Sequence, residues 1–187
     1  MSRILIVSAL PQEVPNFTWP LPGTLMFTGV GKVNATYKLT DVLTRAGGTK
    51  RYDLVMNYGT AASKVHNGLV DCTKFIQRDM DATPMGLKIG ETPFEDEPSM
   101  VNFSHIKNPI GKNLCCYTGD SFATDLTPYD DVVDMEAYAL AKTCRNFGIN
   151  FVSYKYISDD GDASDWEKNC GKGIEEFKKV LEYYENI

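Results

Sequence analysis

Residues 131–160 read DVVDMEAYALAKTCRNFGINFVSYKYISDD, and they constrain the fold more than any other stretch of the chain. Val132 and Val133 form a short apolar run that ends on two carboxylates, Asp134 and Glu136, around Met135. Leu140, Cys144 and Phe147 then recur at i, i+4 and i+7 with Ala137 and Ala141 beside them, the spacing of one helix face. Gly148 stands where a glycine commonly ends a helix. Residues 149–157 are rich in aromatic and β-branched side chains and predict a buried strand, closed by Ser158, Asp159 and Asp160. The pattern is a β-α-β unit with acids at the carboxyl ends of both strands, where open α/β sheets hold their ligands.

Those acids suggest chemistry only if Asp134, Glu136 and Asp159 converge on one crevice. An ionised carboxylate only accepts hydrogen bonds, which suits it to gripping hydroxyl groups. A carboxyl whose pKa is raised can instead deliver a proton. Spacing alone leaves equal room for a blander account, in which Asp134 or Glu136 caps the helix and the others are solvated.

The rest of the chain continues the alternation. Residues 4–9 are a continuous apolar run, as a strand buried on both faces requires. They run into Pro11 without a small-residue cleavage pattern, so they read as a strand and not as a signal segment. Glu13 follows in the first loop, where an acid can also serve a helix N-terminus. Residues 24–28 predict a strand leading to Gly29-Val30-Gly31, which lacks the third glycine and the downstream acid of a dinucleotide site; no cofactor is expected. A helix is predicted over 37–45, a strand over 53–56 followed by a small-residue loop over 57–62, and strands over 68–71, 73–77 and 114–117. Residues 90–109 read as loop. A final helix over 166–186 carries Ile174, Phe177, Leu181 and Tyr184 on one face and is expected to pack, not to react.

Composition narrows the partners. The net charge of −6 argues against a nucleic-acid or membrane surface and favours a neutral or cationic small molecule. Five cysteines without a C-x-x-C, beside two histidines, give no zinc pattern and no disulfide framework. They fit a reducing cytoplasm, with Cys115, Cys116 and Cys144 as small buried hydrophobes. No apolar run approaches a membrane-spanning length. The 187 residues are expected to form a single domain.

The string DMEAYALAKTCRNFGINFVSYKYISD resembles the V-E-M-E-A … A-I-S-D signature of the nucleoside phosphorylase and nucleosidase superfamily. Within it, the nearest resemblance is to the 5′-methylthioadenosine/S-adenosylhomocysteine nucleosidase family. Further segments agree in the same order: IVSALPQEV is similar to I-G-A-M-E-E-E-V, NYGTAA to N-T-G-S-A-G, RDMDATPMG to H-D-A-D-V-T-A-F-G, and TGDSFA to S-G-D-A-F-I. Several motifs in one order are more specific than any one of them.

The resemblance implies a three-layer α/β/α fold with a mixed, largely parallel central sheet, and hydrolysis of a purine nucleoside. It implies that Asp159 protonates purine N7 with Ser158 or a backbone group orienting it, that Glu136 holds the ribose hydroxyls, and that Glu13 positions the attacking water. Thr60 and Ala61 would lie beside ribose and base, Phe122 would stack on the purine, and Ala123 and Met135 would complete the substrate contacts. Met85 and Leu87 would reach into the neighbouring subunit of a homodimer and complete its site. Without the flanking G-D-x-F motif Phe122 reads as a core residue, and simple core filling is the alternative for Met85. Lys155 stands where the family carries an arginine that anchors the water-positioning acid, and Asp134 shortens the first acid of V-E-M-E. No metal is implied. The phosphate-binding glycine and arginine of phosphorylases have no counterpart in the first loop, which favours water as nucleophile. A purine nucleoside phosphorylase and a non-catalytic nucleoside-binding relative stay open as alternatives.

Overall fold

Alternation along the first strand, β1 (Ile4–Ser8), sets the layers. Side chains of a strand point to opposite faces in turn. In the computed structural model, which describes residues 3–16 and 25–185, Ile4 and Ile6 therefore join one core and Leu5 and Val7 the other. Helices α1 (Lys32–Ala46) and α2 (Ala137–Phe147) cover the Leu5 face, burying Leu39, Leu43, Leu140 and Cys144 there. Helix α4 (Ile174–Glu185) covers the Ile4 face through Ile174, Phe177, Leu181 and Tyr184. Phe177 stacks on Tyr58 at 4.3 Å between ring centroids. The expected three layers are present.

Among the described residues the sheet has eight strands. Strands β2 (Leu25–Phe27), β1, β3 (Leu54–Ala62) and β8 (Asn150–Asp159) run parallel in that order. Strand β4 (Leu69–Gln77) meets β8 antiparallel. Strands β6 (Leu114–Thr118) and β7 (Val132–Asp134) continue parallel to β4, and the short β5 (Val101–Asn102) pairs antiparallel with it. One bridge, Ala62 to Val133, brings β7 back against the carboxyl end of β3 and closes part of the sheet into a ring.

That closure corrects the simple β-α-β picture. Helix α2 does connect β7 to β8, but the two strands are not paired and run in opposite senses. Their acids still meet, because Ala62 pairs with Val133 on one side and with Asp159 on the other. A register shift at Ala61/Ala62 leaves Ser158 as the extra residue on β8. Bulges of this kind re-aim side chains beside functional sites.

Other boundaries also moved. The small-residue segment 57–62 is strand, not loop, and 69–77 is one strand rather than two. Helix α1 begins at Lys32, directly after Gly31, and β5 lies inside the expected 90–109 loop. The tail is two helices, α3 (Ala163–Asn169) and α4, not one. Gly171 and Gly173 interrupt it; a Cβ on Gly173 would lie 2.4 Å from the Tyr156 ring. Thr24 and Asn186, at the ends of expected elements, lie outside the described residues. Cys72, Cys115, Cys116 and Cys144 are buried. No described helix is long and apolar enough to cross a membrane.

Candidate active site

Four strand ends meet at one side of the sheet, and each brings an acid or a small residue. Past β1, a single 3₁₀ turn (Pro11–Glu13) folds Glu13 back onto the strand end. Its Oε2 accepts hydrogen bonds from Ser8 Oγ (2.8 Å), Ala9 N (3.1 Å) and Leu10 N (3.0 Å). Its Oε1 accepts from Thr60 N (2.8 Å) and Thr60 Oγ1 (2.9 Å) on β3. Gly59 allows this approach, since a Cβ there would lie 3.0 Å from Glu13 Oε1.

The β7 end carries a buried ion pair. Lys155 Nζ lies 2.8 Å from Asp134 Oδ2, and both side chains are about 1% exposed. Thr118 Oγ1 donates to the other carboxylate oxygen at 2.6 Å, and the amide of Ala137 at the start of α2 donates to Oδ2 at 2.8 Å. Burial pushes the Asp134 carboxyl upward, but Lys155 and these donors together hold it below its ordinary range. Burial likewise opposes the Lys155 charge, and the acidic groups around it, Asp134 first and then Cys116 and Glu136, together outweigh burial and leave that ammonium raised.

Glu136 sits above this pair. Its Oε1 accepts from Gly31 N at 2.8 Å, across the sheet from the mouth of α1. Gly31 has φ of 93°, a backbone state that favours glycine and aims its N–H at the carboxylate. Burial, and next the negative charge of Asp134, push Glu136 up to about 8. Asp159 closes the β8 end, with Ser158 Oγ donating to Oδ2 (2.8 Å) and Gly161 N to Oδ1 (3.0 Å). Burial raises its pKa against these two donors.

A cavity of about 270 Å³ lies among them. Glu13, Glu136 and Asp159 line it together with Thr60, Ala61, Phe122, Ala123 and Met135. Val30, Val133 and Trp166 add apolar surface. None of the described residues lining it is arginine or lysine.

A model of the phosphorylase superfamily matches residues 121–184. The 5′-methylthioadenosine/S-adenosylhomocysteine nucleosidase of Actinobacillus succinogenes is 33% identical over 181 aligned residues, covering 83% of this chain and 74% of the relative. This chain belongs to that nucleosidase family. The corresponding enzyme of Anoxybacillus flavithermus is 32% identical over 159 aligned residues, covering 72% of this chain and 66% of its own. The match thus spans about two thirds of that relative's length. The same fold is seen in a Helicobacter pylori nucleosidase mutant with 5′-methylthioadenosine in its active site, at a TM-score of 0.77, 19% identity, and coverage of 98% of this chain and 99% of that one. It is seen again in Helicobacter pylori futalosine hydrolase, at a TM-score of 0.76, 19% identity, and coverage of 97% and 98%.

As a member of this family, the chain places its sequence-predicted residues in three ways. Glu13, Glu136, Asp159, Thr60, Ala61, Phe122, Ala123 and Met135 all face the one cavity. Ser158 stands behind Asp159 as its hydrogen-bond donor. Met85 and Leu87 do not line the cavity; Met85 is 59% exposed in a separate turn after β4. Lys155 differs from expectation in its partner. It pairs with Asp134 and not with Glu13, which the Ser8, Thr60 and backbone donors hold instead.

Trp166 is a site residue that a single packing helix over 166–186 does not predict. Its indole N–H donates to Thr60 Oγ1 at 2.9 Å, and Asn169, one turn on, donates to the Ser158 carbonyl at 2.8 Å. The available signal was the pair Gly171 and Gly173, which separates the polar DASDWEKN segment from the apolar face that begins at Ile174.

Proposed function

We propose that this chain hydrolyses the N-glycosidic bond of 5′-methylthioadenosine, S-adenosylhomocysteine or a related purine nucleoside, releasing adenine. The observation that carries the reading is the convergence of Glu13, Glu136 and Asp159 on one cavity whose walls are otherwise mostly apolar. A planar base fits against the Phe122 ring, since aromatic faces favour stacking. Asp159, whose pKa is raised by burial, delivers a proton to purine N7 as the C1′–N9 bond breaks and its electrons pass to the base. Glu136 takes the ribose hydroxyls, and its carboxylate favours positive charge developing on the sugar. Water adds to C1′, and Glu13 orients it and takes its proton.

Absence of arginine and lysine from the described lining supports water over phosphate as the nucleophile. Lys32, the nearest cation by sequence to the Gly31 turn, is committed to Asp79 and Asp120. The fold shared with futalosine hydrolase leaves the 5′ substituent open. The site is proposed to be completed by Met85 and Leu87 of a second subunit, and the buried thiols fit a cytoplasmic setting.

The test is incubation with 5′-methylthioadenosine, with and without phosphate, and chromatography of free adenine. Adenine is expected in plain buffer. Asp159→Asn should lower kcat by about 10²–10⁴-fold, the usual worth of a proton-transfer group, with the unfolding transition retained. Adenine only with phosphate would make the chain a phosphorylase. No base released from 5′-methylthioadenosine, S-adenosylhomocysteine, adenosine or futalosine would make it a nucleoside-binding protein.

A further inference from the structure

Glu13 already accepts five hydrogen bonds, one more than the about four lone-pair sites of a carboxylate. Three of these come from backbone amides and cannot turn away. The other two come from hydroxyls, Ser8 and Thr60, whose protons can rotate. Ser8 Oγ has an alternative acceptor in the Leu10 carbonyl at 3.5 Å. Thr60 has no such freedom in this arrangement, because the Trp166 indole N–H occupies one acceptor position of its oxygen. An indole nitrogen donates only, so the Thr60 proton must point elsewhere, and Glu13 Oε1 is 2.9 Å away. The second lone pair of Thr60 Oγ1 is left beside the cavity that both residues line.

We infer that Trp166 is a positioning residue for the attacking water, acting through Thr60 by fixing the direction of its hydroxyl proton. Resting on the hydrolase reading, this gives helix α3 a role. Trp166 holds the water side of the site through Thr60, and Asn169 on the same helix face holds the Ser158 carbonyl beside the proton donor. With its proton committed to Glu13, Thr60 offers water an acceptor and Glu13 keeps its orientation. Without the indole donor, the hydroxyl turns freely and the water loses one defined partner.

The experiment pairs a spectroscopic and a kinetic reading. The sequence has two tryptophans, so Trp19→Phe leaves Trp166 as the only indole emitter. In that background Thr60→Val should shift the Trp166 emission, because the indole loses its hydrogen-bond acceptor. An unchanged spectrum would overturn the link without reference to activity. In kinetics on 5′-methylthioadenosine, Trp166→Phe keeps an aromatic ring in the cavity wall, though a smaller one, and removes the donor. It should lower kcat about three- to tenfold, the scale of one neutral hydrogen bond, with KM little changed. In a Thr60→Val background the same change should have no further effect. Multiplicative losses, or a loss confined to KM, would overturn positioning and leave Trp166 as cavity wall. An inert wild type with the emission shift intact would overturn the hydrolase reading and this role with it, while the hydrogen bond itself stood.

Discussion

Glu136 is the residue whose chemistry departs most from a plain carboxylate. The free acid titrates near 4.5, and burial with the neighbouring Asp134 charge moves it to about 8. Among the described residues its side chain accepts one backbone hydrogen bond, from Gly31 N–H, too little to offset the loss of water. The folded chain therefore keeps a proton that the unfolded chain releases across this interval, so stability falls as pH rises from about 5 toward 8. Glu136→Gln keeps an acceptor for Gly31 and removes the titration. Thermal melting between pH 5 and 9 should show a fall in the wild type that is shallower in this variant. Ribose hydroxyls can donate to the ionised form, so a bound nucleoside should draw the pKa down and release a proton at pH 7. Calorimetry of a nucleoside analogue in buffers of different ionisation enthalpy reads that proton directly. Equal heats in all buffers would mean that Glu136 does not change protonation on binding.

At the scale of elements, the end of β7 is tied to the middle of β8 by the Lys155–Asp134 pair, almost wholly removed from water. Such a pair adds little over apolar residues of the same size, but leaving one partner alone costs about 3–5 kcal/mol. Lys155→Met should therefore destabilise the chain by that amount in urea unfolding, because Asp134 remains charged among Thr118 and the α2 amides. Adding Asp134→Leu should recover part of the loss. Equal losses in the single and double variants would mean the pair is not coupled. The sequence made the two strand ends and their acids legible, since apolar runs, Gly148 and the two acid positions are local signals. It did not show that β7 closes on Ala62, because a single long-range bridge leaves no periodic trace. The same limit explains Lys155, whose partner is chosen by sheet register, and Trp166, whose role depends on a turn made by two glycines. Segment 57–62 misled for the opposite reason. Its small residues suit a loop, yet here they let a strand pass close to Glu13.

For the whole molecule, the open question is whether one chain suffices. Met85 at 59%, Ile89 at 50% and Phe94 at 97% exposure lie on the segment after β4, and Val33 and Tyr37 are exposed on α1. Lys32, ion-paired to Asp79, ties the start of α1 to the start of that segment. Apolar side chains left in water at this end are what a second copy would cover, in keeping with the proposed homodimer. Sedimentation should then show a dimer at micromolar concentration, and Met85→Asp with Leu87→Asp should shift it toward monomer. Burying one such side chain is worth about 1.5–3 kcal/mol, so kcat/KM for 5′-methylthioadenosine should fall about ten- to a hundredfold if these residues complete the partner's site. Mixing this double variant with inactive Asp159→Asn chains distinguishes the two roles. In a mixed dimer the variant's intact acids face the unaltered Met85 and Leu87 of the other subunit, so activity should partly return. No return, with mixed dimers present by mass, would confine these residues to the interface and leave each site to its own chain.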